Sequence, residues 1–193
     1  MDKDILICGV GGQGTVLVSK IISAAAMEEG NTVHSAETIG MAQRGGSVTS
    51  HVRIGENALS PLVPLGSANL LLAFEPGEAV RNLKYLSAGG IAIVNTAHTV
   101  SVTAALSEET YSGVEMCRYL EKKCPCIFIN SDEIAGQFGS HKFFNIYLLG
   151  VACGSGALGL KRDSLSLQVE KKVPEKYAGI NKEVFNCGCD YNV

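Results

Sequence analysis

An apolar run, Ile5-Leu6-Ile7-Cys8, empties directly into Gly9-Val10-Gly11-Gly12-Gln13-Gly14, and a helical pattern begins at Thr15. Few folds accept this order. Four consecutive apolar residues make a strand that must be covered on both faces. Closely spaced glycines let backbone approach backbone, or a ligand, more tightly than any Cβ allows. The helix that follows presents unpaired N–H groups and the positive end of its dipole, so the turn reads as a seat for an anion. Gly9, Gly11 and Gly14 match the G-x-G-x-x-G pattern of dinucleotide sites. A tight turn with close helix–strand packing makes the same demand.

The rest of the chain alternates strand-length apolar runs with helical patterns. Residues 15–29 carry Val16, Leu17, Ile21, Ile22 and Ala25 at helical spacing and stop at Gly30. Residues 32–36 read as a second strand and 37–46 as a loop. Val48, Ser50, Val52 and Ile54 alternate with Thr49, His51 and Arg53, the pattern of a half-exposed strand. Gly55-Glu56-Asn57 then turns toward Ala58-Leu59-Ser60, which predicts a hairpin there. Further strands are expected over 69–74, 91–95 and 126–130. Helices are expected over 78–86 (closed by Gly89-Gly90), from the Ser112/Glu115 capping box to Lys123, over 143–158 and over 181–185. This alternation predicts an α/β fold: a three-layer α/β/α, Rossmann-like, mostly parallel sheet with an antiparallel edge hairpin. With no repeat or linker, residues 1–193 read as a single domain.

Charge narrows the function classes. Charged residues are 18% of the chain, below the roughly 25% of an average domain, which points to a surface partly covered by another chain; poor solubility or a large core gives the same number. The net charge of −3 and the lack of a basic run argue against nucleic acid and anionic membrane as partners. No apolar stretch is long enough for a membrane span, and the acidic start runs straight into a strand, so no signal peptide is expected. Seven cysteines, an odd number, read as reduced thiols in a cytoplasmic protein.

A dinucleotide site also wants an acidic residue at the end of the second strand. Glu37, 23 positions past Gly14, comes slightly late for that role. Gln13 adds an amide inside the loop, able to bridge to a ligand or a partner backbone. Arg44, between glycines in Gln43-Arg44-Gly45-Gly46, offers a forked cation suited to phosphate or carboxylate; a surface arginine in a loop looks the same. The pairs Cys124-Pro125-Cys126 and Cys187-Gly188-Cys189 could meet around zinc or an iron–sulfur cluster, but neither has the usual ligand spacing. His34, His51, His98 and His141 are scattered, and no nucleophile–base motif is present. The residues assigned to ligand contact are therefore Gly9, Gly11, Gly12, Gln13, Gly14, Arg44, Gly45 and Gly46. No catalytic residue and no metal ligand is assigned.

The glycine loop together with the stretch from Met41-Ala42-Gln43-Arg44-Gly45-Gly46-Ser47 to Gly55 resembles the gamma-type domain of the 2-oxoacid:ferredoxin oxidoreductases. Within that group the wording is most similar to the indolepyruvate ferredoxin oxidoreductase beta subunit. The likeness continues through Asn145-Ile146-Tyr147-Leu148-Leu149-Gly150 and Val173-Pro174 to Phe185, essentially the whole chain. The resemblance implies a small subunit of an enzyme that oxidatively decarboxylates a 2-oxo acid, an aryl pyruvate such as indolepyruvate, to its acyl-coenzyme A. Electrons would pass to ferredoxin. Thiamine diphosphate, Mg2+ and [4Fe–4S] clusters are implied on a larger partner subunit, since this chain has no Gly-Asp-Gly motif and no four-cysteine run. Coenzyme A is a possible contact of the glycine loop. Cys187 and Cys189 lie in a segment that departs from the family and carry no role. The alternatives are an autonomous Rossmann-type NAD(P)- or FAD-binding reductase and a non-catalytic scaffold.

Overall fold

The computed structural model describes residues 1–39, 45–97 and 112–192. Its strands are β1 (Lys3–Val10), β2 (Val33–Ile39), β3 (Ser47–Ile54), β4 (Ala68–Ala73), β5 (Leu86–Asn95) and β6 (Cys126–Ile129). They form one six-stranded sheet in the order β2-β3-β1-β4-β5-β6. Pairing is parallel through β1, β4, β5 and β6, whereas β3 runs antiparallel to both its neighbours. The helices are α1 (Thr15–Glu28), α2 (Pro76–Asn82), α3 (Gly113–Glu121), α4 (Ser131–Phe138), α5 (Phe144–Gly154), α6 (Arg162–Lys172) and α7 (Ala178–Cys189).

Alternation along the strands divides the core. Ile5 and Ile7 point to one face with Val52, Leu70, Leu72 and Ile93, where α1, α5, α6 and α7 cover them. Leu6 and Cys8 point to the other with Leu71, Ala73, Ala92 and Val94, under Ala79 of α2 and Leu120 of α3. The apolar run that opens the chain is thus buried on both sides. Each of its fully buried Ile and Leu side chains contributes about 1.5–3 kcal/mol. In α1 the buried stripe is Val18, Ile21, Ile22, Ala25 and Ala26, while Val16 and Leu17 are only half-buried. α5 and α7 approach backbone to backbone: a Cβ on Gly150 would lie 2.3 Å from the Phe185 carbonyl, and one on Gly188 2.3 Å from that of Tyr147.

The predicted hairpin is placed differently. Residues 58–60 form no strand; β3 pairs instead with β2 and β1, which makes the edge hairpin β2–β3. Flanked on both sides, β3 is not half-exposed, and Ser50, His51 and Val52 are all buried. The chain after β3 crosses its face, where Val63 N–H donates to His51 Nδ1 at 3.1 Å. Residues 37–39 continue β2 rather than opening a loop. The helix expected over 78–86 ends in a 3-10 turn, Leu83–Tyr85, and Gly89 and Gly90 belong to β5. The last helix is longer than expected at 12 residues, and α5 stops at Gly154, four residues before the expected end.

Candidate functional site

From β1 the chain passes through α1 on one face toward β2; from β4 it passes through α2 on the other face toward β5. The carboxyl ends of β1 and β4 therefore flank a topological switch point, the place where open α/β sheets bind ligands. The glycine loop occupies it. Gly12 and Gly14 take φ values of +104° and +89°, which L side chains rarely adopt, and Gly14 is the N-cap of α1. The loop is joined by the second glycine motif: Gly11 N–H donates to the Gly46 carbonyl at 2.8 Å and Gly45 N–H to that of Gly11 at 3.4 Å. The sequence thus names two segments that the fold places in contact. Arg44 lies outside the described residues, as does His98.

Gln13 turns inward. Its Oε1 accepts from Val10 N–H at 2.7 Å and its Nε2 donates to the Phe74 carbonyl at 3.2 Å. The amide therefore braces β1 against the end of β4. Gly9 is small to admit it, because a Cβ there would stand 2.7 Å from Gln13 Oε1. Asn95, the last residue of β5, extends the brace: Nδ2 donates to the same Phe74 carbonyl at 3.0 Å, and Oδ1 accepts from Ala97 and Ser131 N–H, each at 3.1 Å. Behind the loop, Ser47 Oγ donates to Glu78 Oε2 at 2.5 Å, fastening the start of β3 to α2. Burial first, and then Glu78 and Glu75, push the Cys8 thiol upward, so it stays protonated and inert.

Over this frame lies a cleft of about 540 Å³, lined by Gly12, Gln13, Gly14, Phe74, Asn95, Ala97, Ser131, Asp132, His141, Lys142, Phe144 and Asn145. Phe74 and Phe144 meet edge to face at 6.3 Å beneath it. At the rim His141 is 3.8 Å from Asp132, both exposed, with Lys142 beside them. The amides of Gln13, Asn95 and Asn145, the Ser131 hydroxyl and Lys142 give the cleft groups that can bind and orient an acceptor-rich ligand. Asn95, Ser131, His141, Lys142 and Asn145 were missed from sequence because single polar residues on four separate segments have no spacing to betray them.

Glu37 does not serve as a ribose ligand. β3 stands between β1 and β2, and Glu37 accepts from Ser19 Oγ at 3.2 Å on α1. The two C-x-C pairs lie on opposite sides of the sheet, Cys124 and Cys126 with one core and Cys187 and Cys189 with the other. Cys124 and Cys126 Sγ are 3.6 Å apart. Among the described residues no three His, Cys, Asp or Glu side chains converge as a metal site. No helix among them is long and apolar enough to cross a membrane.

Residues 4–191 match the family model for pyruvate ferredoxin/flavodoxin oxidoreductase. The chain is 35% identical over 190 residues to the indolepyruvate oxidoreductase subunit IorB of Archaeoglobus fulgidus, covering 97% of this chain and 94% of that protein. It is 36% identical to the IorB of Methanothermobacter thermautotrophicus, covering 97% and 96%. Its fold superposes on the gamma subunit of a keto/oxoacid ferredoxin oxidoreductase from Geobacter sulfurreducens with a TM-score of 0.72 at 21% identity, covering 97% and 96%.

Proposed function

Because the chain belongs to the pyruvate ferredoxin/flavodoxin oxidoreductase family, we propose that it is the small subunit of a cytoplasmic 2-oxoacid:ferredoxin oxidoreductase acting on indolepyruvate or a similar aryl pyruvate. The larger subunit holds thiamine diphosphate, Mg2+ and the [4Fe–4S] clusters, which decarboxylate the oxo acid and carry its electrons to ferredoxin. This chain closes the active-site channel and contacts coenzyme A, the acyl acceptor, at the glycine loop. The observation that carries the reading is likeness to indolepyruvate oxidoreductase subunits along almost the whole of both chains. The switch-point cleft supports it, offering donors for an anionic co-substrate.

In this reading the chain's own residues do positional work. Gln13 and Asn95 hold the ends of β1, β4 and β5 at fixed separation. Glu78, through Ser47, holds Gly45 and Gly46 against Gly11. Phe74 and Phe144 keep the cleft floor dry. The autonomous reductase reading loses its footing with Glu37, which the inserted strand removes from the neighbourhood of β1. Co-expression with the candidate large subunit tests the proposal: indolepyruvate-dependent reduction of a viologen dye requires both chains. Full activity from the large subunit alone refutes it.

A further inference from the structure

We propose that Asn145 is a binding residue whose Nδ2 donates to a phosphoryl oxygen seated at the N-terminus of α1. Two independent observations meet at this point. First, α1 is 14 residues long, and its N-cap, Gly14, lines the cleft and offers no side-chain cap, so the positive end of the helix dipole and its unpaired N–H groups lie at the cleft wall. Second, Asn145 is only 8% exposed, lines the same cleft, and presses its Nδ2 over Gly14, where a Cβ would stand 2.3 Å from that nitrogen. Its Oδ1 accepts from Ile146 N–H at 2.8 Å, which fixes the orientation of the amide, while Nδ2 has no partner among the described residues. Among the described residues only Ser23 and Ser50 hold a fully buried side-chain atom without a partner, so Nδ2 opens to the cleft, where an acceptor can reach it.

The seat therefore presents donors from two directions, with Lys142 at the rim, and its ligand must be rich in acceptors. A phosphate ester or anhydride fits; a neutral carbonyl engages only one of the two sets. This rests on the subunit reading only for the carrier of the phosphate, coenzyme A or thiamine diphosphate; the seat itself is built from this chain.

Asn145→Asp isolates the donor. The variant keeps the acceptor for Ile146 N–H and places a carboxylate in the first turn of α5, where the helix dipole favours it. It also replaces Nδ2 with an oxygen that repels a phosphate. In isothermal titration of the full chain, coenzyme A binds, and pantetheine, which lacks the phosphates, binds about tenfold more weakly or worse. Asn145→Asp weakens coenzyme A by about tenfold or more while the unfolding midpoint stays equal or rises. Saturation by thiamine diphosphate instead, lost in the same variant, supports the seat with the other carrier. Equal binding by wild type and Asn145→Asp, or no binding of either compound, overturns it. Dye reduction by the large subunit alone overturns the subunit reading and leaves the titration to judge the seat.

Discussion

Replacing Gln13 by alanine distinguishes a brace from a ligand contact. In the structure Gln13 Oε1 is the partner of Val10 N–H, and Val10 is 3% exposed. Removing it leaves a buried backbone donor unpaired, at a cost of about 1–3 kcal/mol. The Phe74 carbonyl suffers less, because Asn95 Nδ2 still donates to it at 3.0 Å, so loss of Gln13 Nε2 adds only a few tenths. The total is about 1–3.5 kcal/mol, which lowers the melting temperature of a domain this size by about 2–14 °C. Gln13→Glu serves as the control. It keeps an acceptor for Val10 but sets a carboxylate oxygen against the Phe74 carbonyl, so it is destabilised at least as much. Thermal unfolding followed by circular dichroism reads both variants. If Gln13→Ala melts at the wild-type temperature yet fails to assemble or turn over, the amide faces a ligand or partner, and the bracing argument is wrong.

Gly12→Val meets open space, with nothing within 4 Å of its Cβ, so it carries only the strain of a positive φ, about 1–2 kcal/mol. The fold survives, and turnover by the assembled enzyme falls because the branched side chain stands in the cleft; normal turnover would make the loop purely structural. Gly150→Ala has no such room: its Cβ would lie 2.3 Å from the Phe185 carbonyl, and separating α5 from α7 costs about 1–3 kcal/mol, visible as a lowered urea midpoint. Stability also depends on His51, whose buried ring accepts from Val63 N–H and whose pKa burial lowers. Below about pH 6.5 the unfolded chain binds a proton that the native ring resists, so stability falls as the pH drops through that value and below. Urea midpoints measured down to pH 5.5 show this loss in the wild type and a smaller one in His51→Gln.

Local signals were legible and distant ones were not. The strand–glycine–helix unit announced itself because its apolar run, its glycines and its helical stripe all lie between Ile5 and Ala26. The Ser112 cap of α3 was equally readable, since its Oγ accepts from Glu115 only three positions on. β3 was recognised as a strand but paired wrongly, because Gly55-Glu56-Asn57 looks locally like a hairpin turn. Nothing near it says that the chain has already made its antiparallel partners, β1 and β2, upstream. The glycines of the turn were legible for the same local reason. Asn95 and Asn145 were not, since each matters through contacts with residues more than 20 positions away. A buried asparagine is invisible until its neighbours are known.

The reversed strand β3 also limits what this scaffold can become. In a dinucleotide enzyme the strand after the first helix lies beside β1 and delivers an acidic side chain to the ribose. Here that berth is filled by a strand running the other way, which brings its glycine-rich beginning, not its end, to the rim of the sheet. Substitutions at the glycine loop or at Glu37 cannot convert this chain into a nicotinamide enzyme, because the obstacle is the order of strands and not the identity of any residue. An engineer seeking that activity would have to delete a strand.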